Sequence, residues 1–393
     1  MLRGNIEQML KENRINYGLD LLRSYIEENN YAGYDPYDAL MSPLFNIPIF
    51  RSNKLIRFGF QQLVKRLPFS IRPLLLVPKG YNPVSLGLAI QAYAYLLHVE
   101  PQNKVIFLQK IDELIGELKK LIPPGFSGAC WGYDFDWEAR NACIPAFQPT
   151  VVATGIITNA LFLTYKSTGN TNARDLVMSA ADFVLRDLNR TYDNETICFS
   201  YSPFDEQRVF NASMKAARLL SQAFTIQPNQ SYRDIASRAV AYVVNKQRSD
   251  GAWGYSDTSS GTWIDNYHTG YVLDCLHEYQ MNMDDSQYSA NLQRGYSFYI
   301  DHFVSESGIP KFYHDRRYPI DCTAAAQLIL TSIRFGDTRI ACKVAKWMIR
   351  NMQKRNGGFY YRKHKYYMIK TSFMRWSDAW MFAALANLKS QPI

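Results

Sequence analysis

No pair of the six cysteines (Cys130, Cys143, Cys198, Cys275, Cys322, Cys342) has C-x-x-C or zinc-knuckle spacing, so neither a redox motif nor a zinc site is expected. The thiols read as reduced and mostly buried, which fits a cytoplasmic chain. No run approaches the roughly 18 consecutive apolar residues of a membrane-spanning helix. The opening MLRGNIEQMLKENRINYGLD is polar and helical in pattern, without an apolar stretch behind a basic one, so no export signal is expected. Acidic residues are missing from two long windows. Between Asp38 and Glu100 there is none, while Arg51, Lys54, Arg57, Lys65, Arg66, Arg72 and Lys79 fall there. Between Asp337 and Asp378 there is again none, against Arg339, Lys343, Lys346, Arg350, Lys354, Arg355, Arg362, Lys363, Lys365, Lys370 and Arg375. With a net charge of +9, such windows raise a positive field that concentrates anionic ligands. An acidic oligosaccharide, a lipid-linked glycan or an anionic membrane surface would answer to it. No nucleic-acid module is visible, and nucleic acid is not expected as a partner.

What is present is a repeat. Six segments of small and apolar residues begin at Ser85, Thr150, Asn211, Asn266, Ile320 and Arg375, with starts 54 to 65 residues apart. SLGLAIQAYAYLL is typical, and a helix that is apolar nearly all round is buried on all sides. Between these segments run helices with one apolar stripe and one charged face, starting at Phe107, Ala173, Tyr232, Leu292 and Thr338. Strict alternation of the two kinds predicts an all-α fold, an (α/α)6 toroid of six inner and about six outer helices. Residues 81–393 are assigned to the toroid. Residues 1–80 form a helical, basic segment packed on it, completing the outer ring or covering one end. The Gly- and aromatic-rich loops FSGACWGYDFDW, QRSDGAWGYSD, SGIPKFYHDRRYPID and QKRNGGFYYRKHKYY lead into inner helices. They must therefore gather at one mouth, where helix N-termini present N–H groups and the positive dipole end.

Two resemblances emerge from these loops. Gln247 to Trp253 (QRSDGAW) fits the QxxxGxW repeat of terpenoid cyclases and prenyltransferases, and Gln353 to Phe359 (QKRNGGF) its QxxxGxF form. Asp321-Cys322-Thr323-Ala324 is similar to the acid motif of the protonating cyclases, although Pro319 stands where that motif has another aspartate. A broader likeness, over about residues 125 to 388, rests on WIDNYHTGYVLDCL, PKFYHDRRYPID, FYYRKHKYY and SFMRWSDAWMFAAL. These resemble α/α-toroid proteins of bacterial and archaeal polysaccharide-biosynthesis loci, which are themselves similar to the C-terminal domain of glucuronyl C5-epimerases. That resemblance implies an enzyme of polysaccharide assembly or modification, acting on an acidic glycan by C5-epimerase- or lyase-like proton abstraction.

Such chemistry needs a base at carbon, a donor or cation for the enolate, and for epimerisation an acid on the opposite face. The two Tyr-His dipeptides, Tyr267-His268 and Tyr313-His314, both fall at the expected mouth. His268 or His314 is expected as base or acid, with Tyr267, Tyr313, Tyr360 or Tyr361 as partner. Arg375, beside Trp376, and Arg316 or Arg317 are candidate carboxylate clamps. Trp131, Tyr133, Trp253, Tyr255 and Trp263 offer flat faces for sugar rings. Three other readings stay open. Asp134, in an acidic run with Asp136 and Glu138, could work with Asp265 or Asp321 as the carboxylate pair of a glycoside hydrolase. A cyclase-like enzyme would use Asp321 as a protonated acid hydrogen-bonded to Cys322. A non-catalytic glycan binder would use the same mouth, and Asp265 and Asp321 also stand where helix N-caps belong. No metal and no cofactor is required by the leading reading.

Overall fold

The computed structural model describes residues 2–138 and 143–392. In chain order its α-helices are α1 (Leu2–Glu28), α2 (Pro48–Ser52), α3 (Lys54–Arg66), α4 (Pro83–Leu96), α5 (Lys104–Lys120), α6 (Val151–Thr168) and α7 (Thr171–Arg186). They continue with α8 (Phe210–Ile226), α9 (Gln230–Asn245), α10 (Asn266–Met283), α11 (Ser289–Phe303), α12 (Cys322–Arg334), α13 (Thr338–Met352) and α14 (Trp380–Lys389), the last preceded by a π-helical turn over Met374–Ala379.

The segments expected to be inner helices are α4, α6, α8, α10, α12 and α14. Each packs on the next, and α14 returns to α4, so the ring closes. Their composition explains the position: in α4 every residue from Pro83 to Ala94 is buried, since a helix in the inner ring meets neighbours on both flanks and outer helices behind. The outer helices bury one stripe. In α13 that stripe is Ala341, Val344, Ala345, Met348 and Met352, at helical spacings of three and four. Each fully buried valine or methionine of this stripe contributes about 1.5–3 kcal/mol, and the alanines less. The fold is the expected all-α (α/α)6 toroid.

The sixth outer position is filled from the opposite end of the chain, because α1 packs on α13 and α14. The two glutamine motifs show the equivalence. Gln247 Nε2 donates to the carbonyls of Gly251 in its own turn and Asn291 of α11, both at 2.9 Å. Gln353 Nε2 donates likewise to Gly357 (3.0 Å) and to Gly18 of α1 (2.7 Å). Both turn glycines have left-handed φ (93° and 96°), and a Cβ on either would lie within 2.5 Å of a backbone oxygen of the next outer helix. The QxxxGx(W/F) pattern is thus a fastener between neighbouring helix pairs, and its presence follows from the toroid rather than from any chemistry.

Inner-helix starts are capped by side chains that accept from the first turn's free N–H groups: Asn82, Thr150, Asp265 and Asp321. These starts converge on one end of the ring, and residues 34–76 lie across that end as a strap. No disulfide joins the cysteines among the described residues; Cys130, Cys198, Cys275 and Cys322 are buried, whereas Cys143 is exposed. Among the same residues no helix is long and apolar enough to cross a membrane.

Candidate functional site

The mouth is an aromatic well rather than an open cup. Going round it, Trp137 contacts Tyr133, Tyr201 and Tyr37 at centroid distances of 6.3, 6.4 and 5.7 Å. Tyr37 meets Trp376 at 6.1 Å, and Trp376 meets Tyr267 at 5.6 Å. Tyr267 lies 4.3 Å from the His268 ring, which lies 4.7 Å from Tyr255, and Tyr255 is stacked on Trp263 at 4.4 Å. Tyr271, one turn below Tyr267, forms the floor with Trp380. Tyr37, Trp137, Tyr255, Tyr267, His268 and Trp376 keep partial exposure although they lie deep in the fold, as walls of a recess do. Two wall groups, Trp376 Nε1 and Tyr361 Oη, are buried with no hydrogen-bond partner among the described residues. Unsatisfied donors of this kind are costly unless a ligand or water meets them.

Asp265 organises one wall. Its Oδ1 caps α10 by accepting from His268 N at 3.0 Å. Its Oδ2 accepts from Trp263 Nε1 at 3.1 Å and lies 2.7 Å from His268 Nδ1. A buried carboxylate on Nδ1 favours the tautomer with the proton there, which leaves Nε2 as a lone-pair base. Burial, and next the charge of Asp265, push the Tyr255 and Tyr267 hydroxyls above the usual tyrosine range, so both remain protonated donors at neutral pH.

Asp321 holds a different partner. Oδ1 caps α12 through Ala324 N (3.1 Å), and Oδ2 takes both Nε and Nη2 of Arg362 at 2.9 and 2.7 Å. This differs from the cyclase reading, in which Asp321 was expected to hydrogen-bond to Cys322. Both carboxyl oxygens are thus occupied by a backbone N–H and a guanidinium, and the Cys322 thiol turns instead to the Ser377 carbonyl at 3.5 Å.

Arg375 sits over Tyr133 (4.5 Å) and Trp376 (4.8 Å). Its Nε and Nη2 grip Asp35 of the strap at 2.6 and 3.0 Å, so it already clamps a carboxylate from its own chain. Arg72 is held in the same way, with Nε on Asp38 at 2.6 Å. Lys65 meets the Tyr37 hydroxyl and lies over that ring. Burial, then Arg362, holds its ammonium well below the usual lysine range. Asp134 accepts from Asn82 Nδ2 at 2.6 Å; burial above all, then Asp35, raises its carboxyl to about 6.

Most of the other expected residues lie away from the well. Trp131 and Trp253 are fully buried with indole N–H groups on the Leu118 and Val243 carbonyls, and serve as wedges between helices rather than sugar platforms. His314 turns to the Ile264 carbonyl (3.3 Å) and lies among Phe298 and His302 of α11. Tyr313 is bridged to Asp265 by its backbone, but its ring carries Arg316 at the rim; the preceding Phe312 faces Tyr267 and Arg362. Tyr361, not Tyr360, points inward, beneath Arg362. Arg317 stays exposed beside Tyr318. Period-two alternation decides which member of each aromatic pair enters, and the sequence does not reveal that parity.

Asp35, Tyr37 and Lys65 were not expected at the mouth, since nothing local announces that a strap enters it. Lys215 does carry a signal, being a lysine inside an otherwise apolar inner helix. It is buried below the floor, 3.9 Å over the Tyr271 ring, and burial and then Arg218 lower its amine to about 7. Beyond it the barrel axis holds a polar cavity of about 410 Å³ lined by Arg218, Asp274, Glu278 and Arg334 among others.

A closed ring of six helix pairs with an aromatic well at the inner N-termini defines the class to which the chain is similar. A family 76 α-mannanase of Bacteroides thetaiotaomicron superposes with a TM-score of 0.58 at 16% identity, covering 78% of this chain and 85% of that one. Cellobiose 2-epimerase of Bacillus thermoamylovorans gives 0.58 at 12% identity, over 78% and 87%. An unsaturated glucuronyl hydrolase specific for heparin gives 0.55 at 14%, over 78% and 85%. No family profile and no curated protein sequence matches the chain. At these identities the likeness establishes the (α/α)6 toroid.

Proposed function

We propose that this protein is a glycan-acting enzyme whose mouth removes a proton from a sugar carbon next to a carboxylate, as in uronate C5-epimerisation or β-elimination. The observation that carries the reading is the 2.7 Å pairing of Asp265 with His268 inside an aromatic well. It sets Nε2 as a base with a carboxylate oxygen bonded behind it at Nδ1, the arrangement a general base needs. Tyr267, kept protonated beside His268, is a donor for the enolate or a returning proton. Flat rings of Trp137, Tyr255 and Trp376 suit the apolar faces of pyranoses. The two acid-free basic windows favour an acidic substrate. Solved neighbours that are named as sugar epimerases and glycoside hydrolases agree with a glycan as substrate class.

The raised carboxyl of Asp134 favours a second reading. A carboxyl raised to about 6 can donate a proton to a glycosidic oxygen, with Asp265 as the second carboxyl group of a hydrolase pair. Incubating the protein with uronate oligosaccharides in heavy water and following proton NMR separates the two. Deuterium at C5 is the expected result, with an unsaturated end group if elimination follows. New reducing ends without exchange would transfer the role to Asp134. Unchanged oligosaccharides that still bind would leave a glycan-binding protein and end the enzymatic reading.

A further inference from the structure

The strap over the mouth has two faces of opposite character. Its inner face is polar and anchored: Asp35, Asp38, Gln61, Lys65 and Arg72 all hydrogen-bond within it or into the barrel. Its outer face is apolar and bare. Leu44, Ile47 and Ile49 are exposed by 43, 45 and 68%, Leu55 and Leu63 by 82 and 59%, and Phe69, Leu74 and Leu76 by 63, 84 and 71%. Eight large apolar side chains within 33 residues account for a large share of those exposed among the described residues. Singly such residues are ordinary; gathered on one element they mark an interaction surface.

They are gathered in space as well as in sequence. Leu55 and Leu63 lie two helical turns apart on α3 with exposed Gly59 between, one face of that helix. Phe45 rests on Phe50 and Phe60, folding the 43–52 turns against α3. Ser42 Oγ donates to the Leu75 carbonyl at 2.7 Å, which ties the turn that carries Leu44 to the segment that carries Leu74 and Leu76. Leu76 has φ of 53°, a left-handed conformation that a leucine rarely takes, and it is turned outward there. The Lys370 N–H bonds to the Pro68 carbonyl at 2.8 Å and adds the neighbouring hairpin tip, with Tyr366 84% exposed and Lys365 beside it.

Charge selects the occupant. Arg51, Lys54, Arg66, Lys79, Lys365 and Lys370 are exposed around this patch. Asp136 and Glu138, which face Arg57 of α3, are both paired with it. A second copy of the same face would set cation against cation, and an acidic protein partner would not call for bare leucines. Apolar side chains that insert, ringed by lysine, arginine and exposed tyrosine, suit the headgroup region of an anionic bilayer.

We propose that the outer face of residues 43–76, with the 365–370 hairpin tip, docks on an anionic lipid bilayer. The inference goes beyond the catalytic reading and shares with it only the charge of the two basic windows; its apolar face plays no part in that reading. A bilayer held there lies just outside the strap, so a glycan still attached to a membrane lipid would meet the protein at its mouth.

The test is co-sedimentation of the full chain with vesicles of phosphatidylcholine, alone or mixed with phosphatidylglycerol. The expected result is binding to the mixed vesicles that weakens with salt. The combined variant Leu55→Ser, Leu63→Ser, Leu74→Ser should lower partitioning by more than about tenfold. Arg51→Gln with Lys54→Gln and Arg66→Gln should lower it by about fivefold per charge. All six positions are exposed, so both variants should melt as the parent does; if either fails to fold, the lipid and salt dependence of the parent decides. Equal binding to neutral and anionic vesicles, no binding, or full binding by the leucine variant overturns the proposal. So does light scattering that shows a dimer dispersed by the leucine substitutions, which would assign the face to a second copy. None of these readouts depends on turnover.

Discussion

Asp265 and Asp321 occupy the same local position at the starts of neighbouring inner helices, α10 and α12. In each, one oxygen caps the helix through the N–H three residues on, at 3.0 and 3.1 Å. The second oxygens differ. That of Asp265 meets a titratable imidazole and an indole N–H; that of Asp321 meets a guanidinium that never gives up its proton. A sequence pattern that places aspartate at an N-cap therefore fixes the cap alone, and the loop partner decides whether the other oxygen serves a base or locks a charge. The first arrangement can move a proton and the second can only hold the wall together.

Removing the partners should show this division most sharply. His268→Ala should lower turnover by about 10³-fold, within the range of a lost general base, while the melting temperature and glycan affinity stay near the parent's. Turnover within a few-fold of the parent would take the base role from His268. Arg362→Ala should do the reverse in kind. It leaves the Asp321 carboxylate buried and unpaired, a loss of about 3–5 kcal/mol in urea unfolding. Adding Asp321→Asn should recover most of that, because the amide oxygen still caps Ala324 and no charge remains.

Asp265→Asn keeps a capping oxygen and removes only the carboxylate behind the imidazole. Turnover should fall by about 10–100-fold with stability changed by less than about 1 kcal/mol, the pattern of a group that acts through its neighbour. The pH profile should move with it, since the imidazole loses the charge that steadies its protonated form. A purely structural Asp265 would instead lower stability and leave the profile in place.

These contrasts also show what can be read from the chain alone. The six inner helices were legible because being apolar all round leaves only one place in the fold; five expected starts lie within two residues of the observed ones at Pro83, Val151, Phe210, Asn266 and Cys322, and the sixth, Arg375, falls in the π-helical turn before α14. The pairing of Asp265 with His268 was not among the expectations, but the N-cap positions of Asp265 and Asp321 and the place of His268 at a helix start were legible too. The strap was not. Asp35, Tyr37 and Lys65 reach the well through contacts with residues up to 340 positions away, such as Arg375, and no periodicity encodes a pairing of that range. Trp131 and Trp253 misled because an aromatic in a glycine-rich turn looks the same whether it faces a ligand or wedges between helices.

Asp134 tests the comparison with a carboxylate that neither caps a helix nor holds a cation. Its carboxyl, raised to about 6 against an unfolded value near 3.9, binds its proton more tightly in the folded state. The resulting stability is present below pH 4 and is lost as pH rises through 6. Asp134→Asn keeps an acceptor for Asn82 and removes the titration. It should be more stable than the parent above pH 6 by up to about 2–3 kcal/mol, converging with it near pH 4. Identical pH–stability curves would show that the carboxyl is solvated in solution.

The smallest effect belongs to Trp263. Its indole N–H is the second donor on the Asp265 oxygen that faces His268, and its ring, 43% exposed, stacks on Tyr255. Trp263→Phe keeps an aromatic face and deletes only that donor. With one neutral hydrogen bond gone, worth about 1 kcal/mol, the carboxylate becomes the stronger partner for the imidazole. The pKa read from the pH dependence of turnover should therefore rise by less than one unit, with glycan affinity close to the parent's. A fall in affinity with no movement of the profile would show the opposite division of labour, in which the indole matters as a sugar platform and the Asp265 oxygen is tuned by His268 alone.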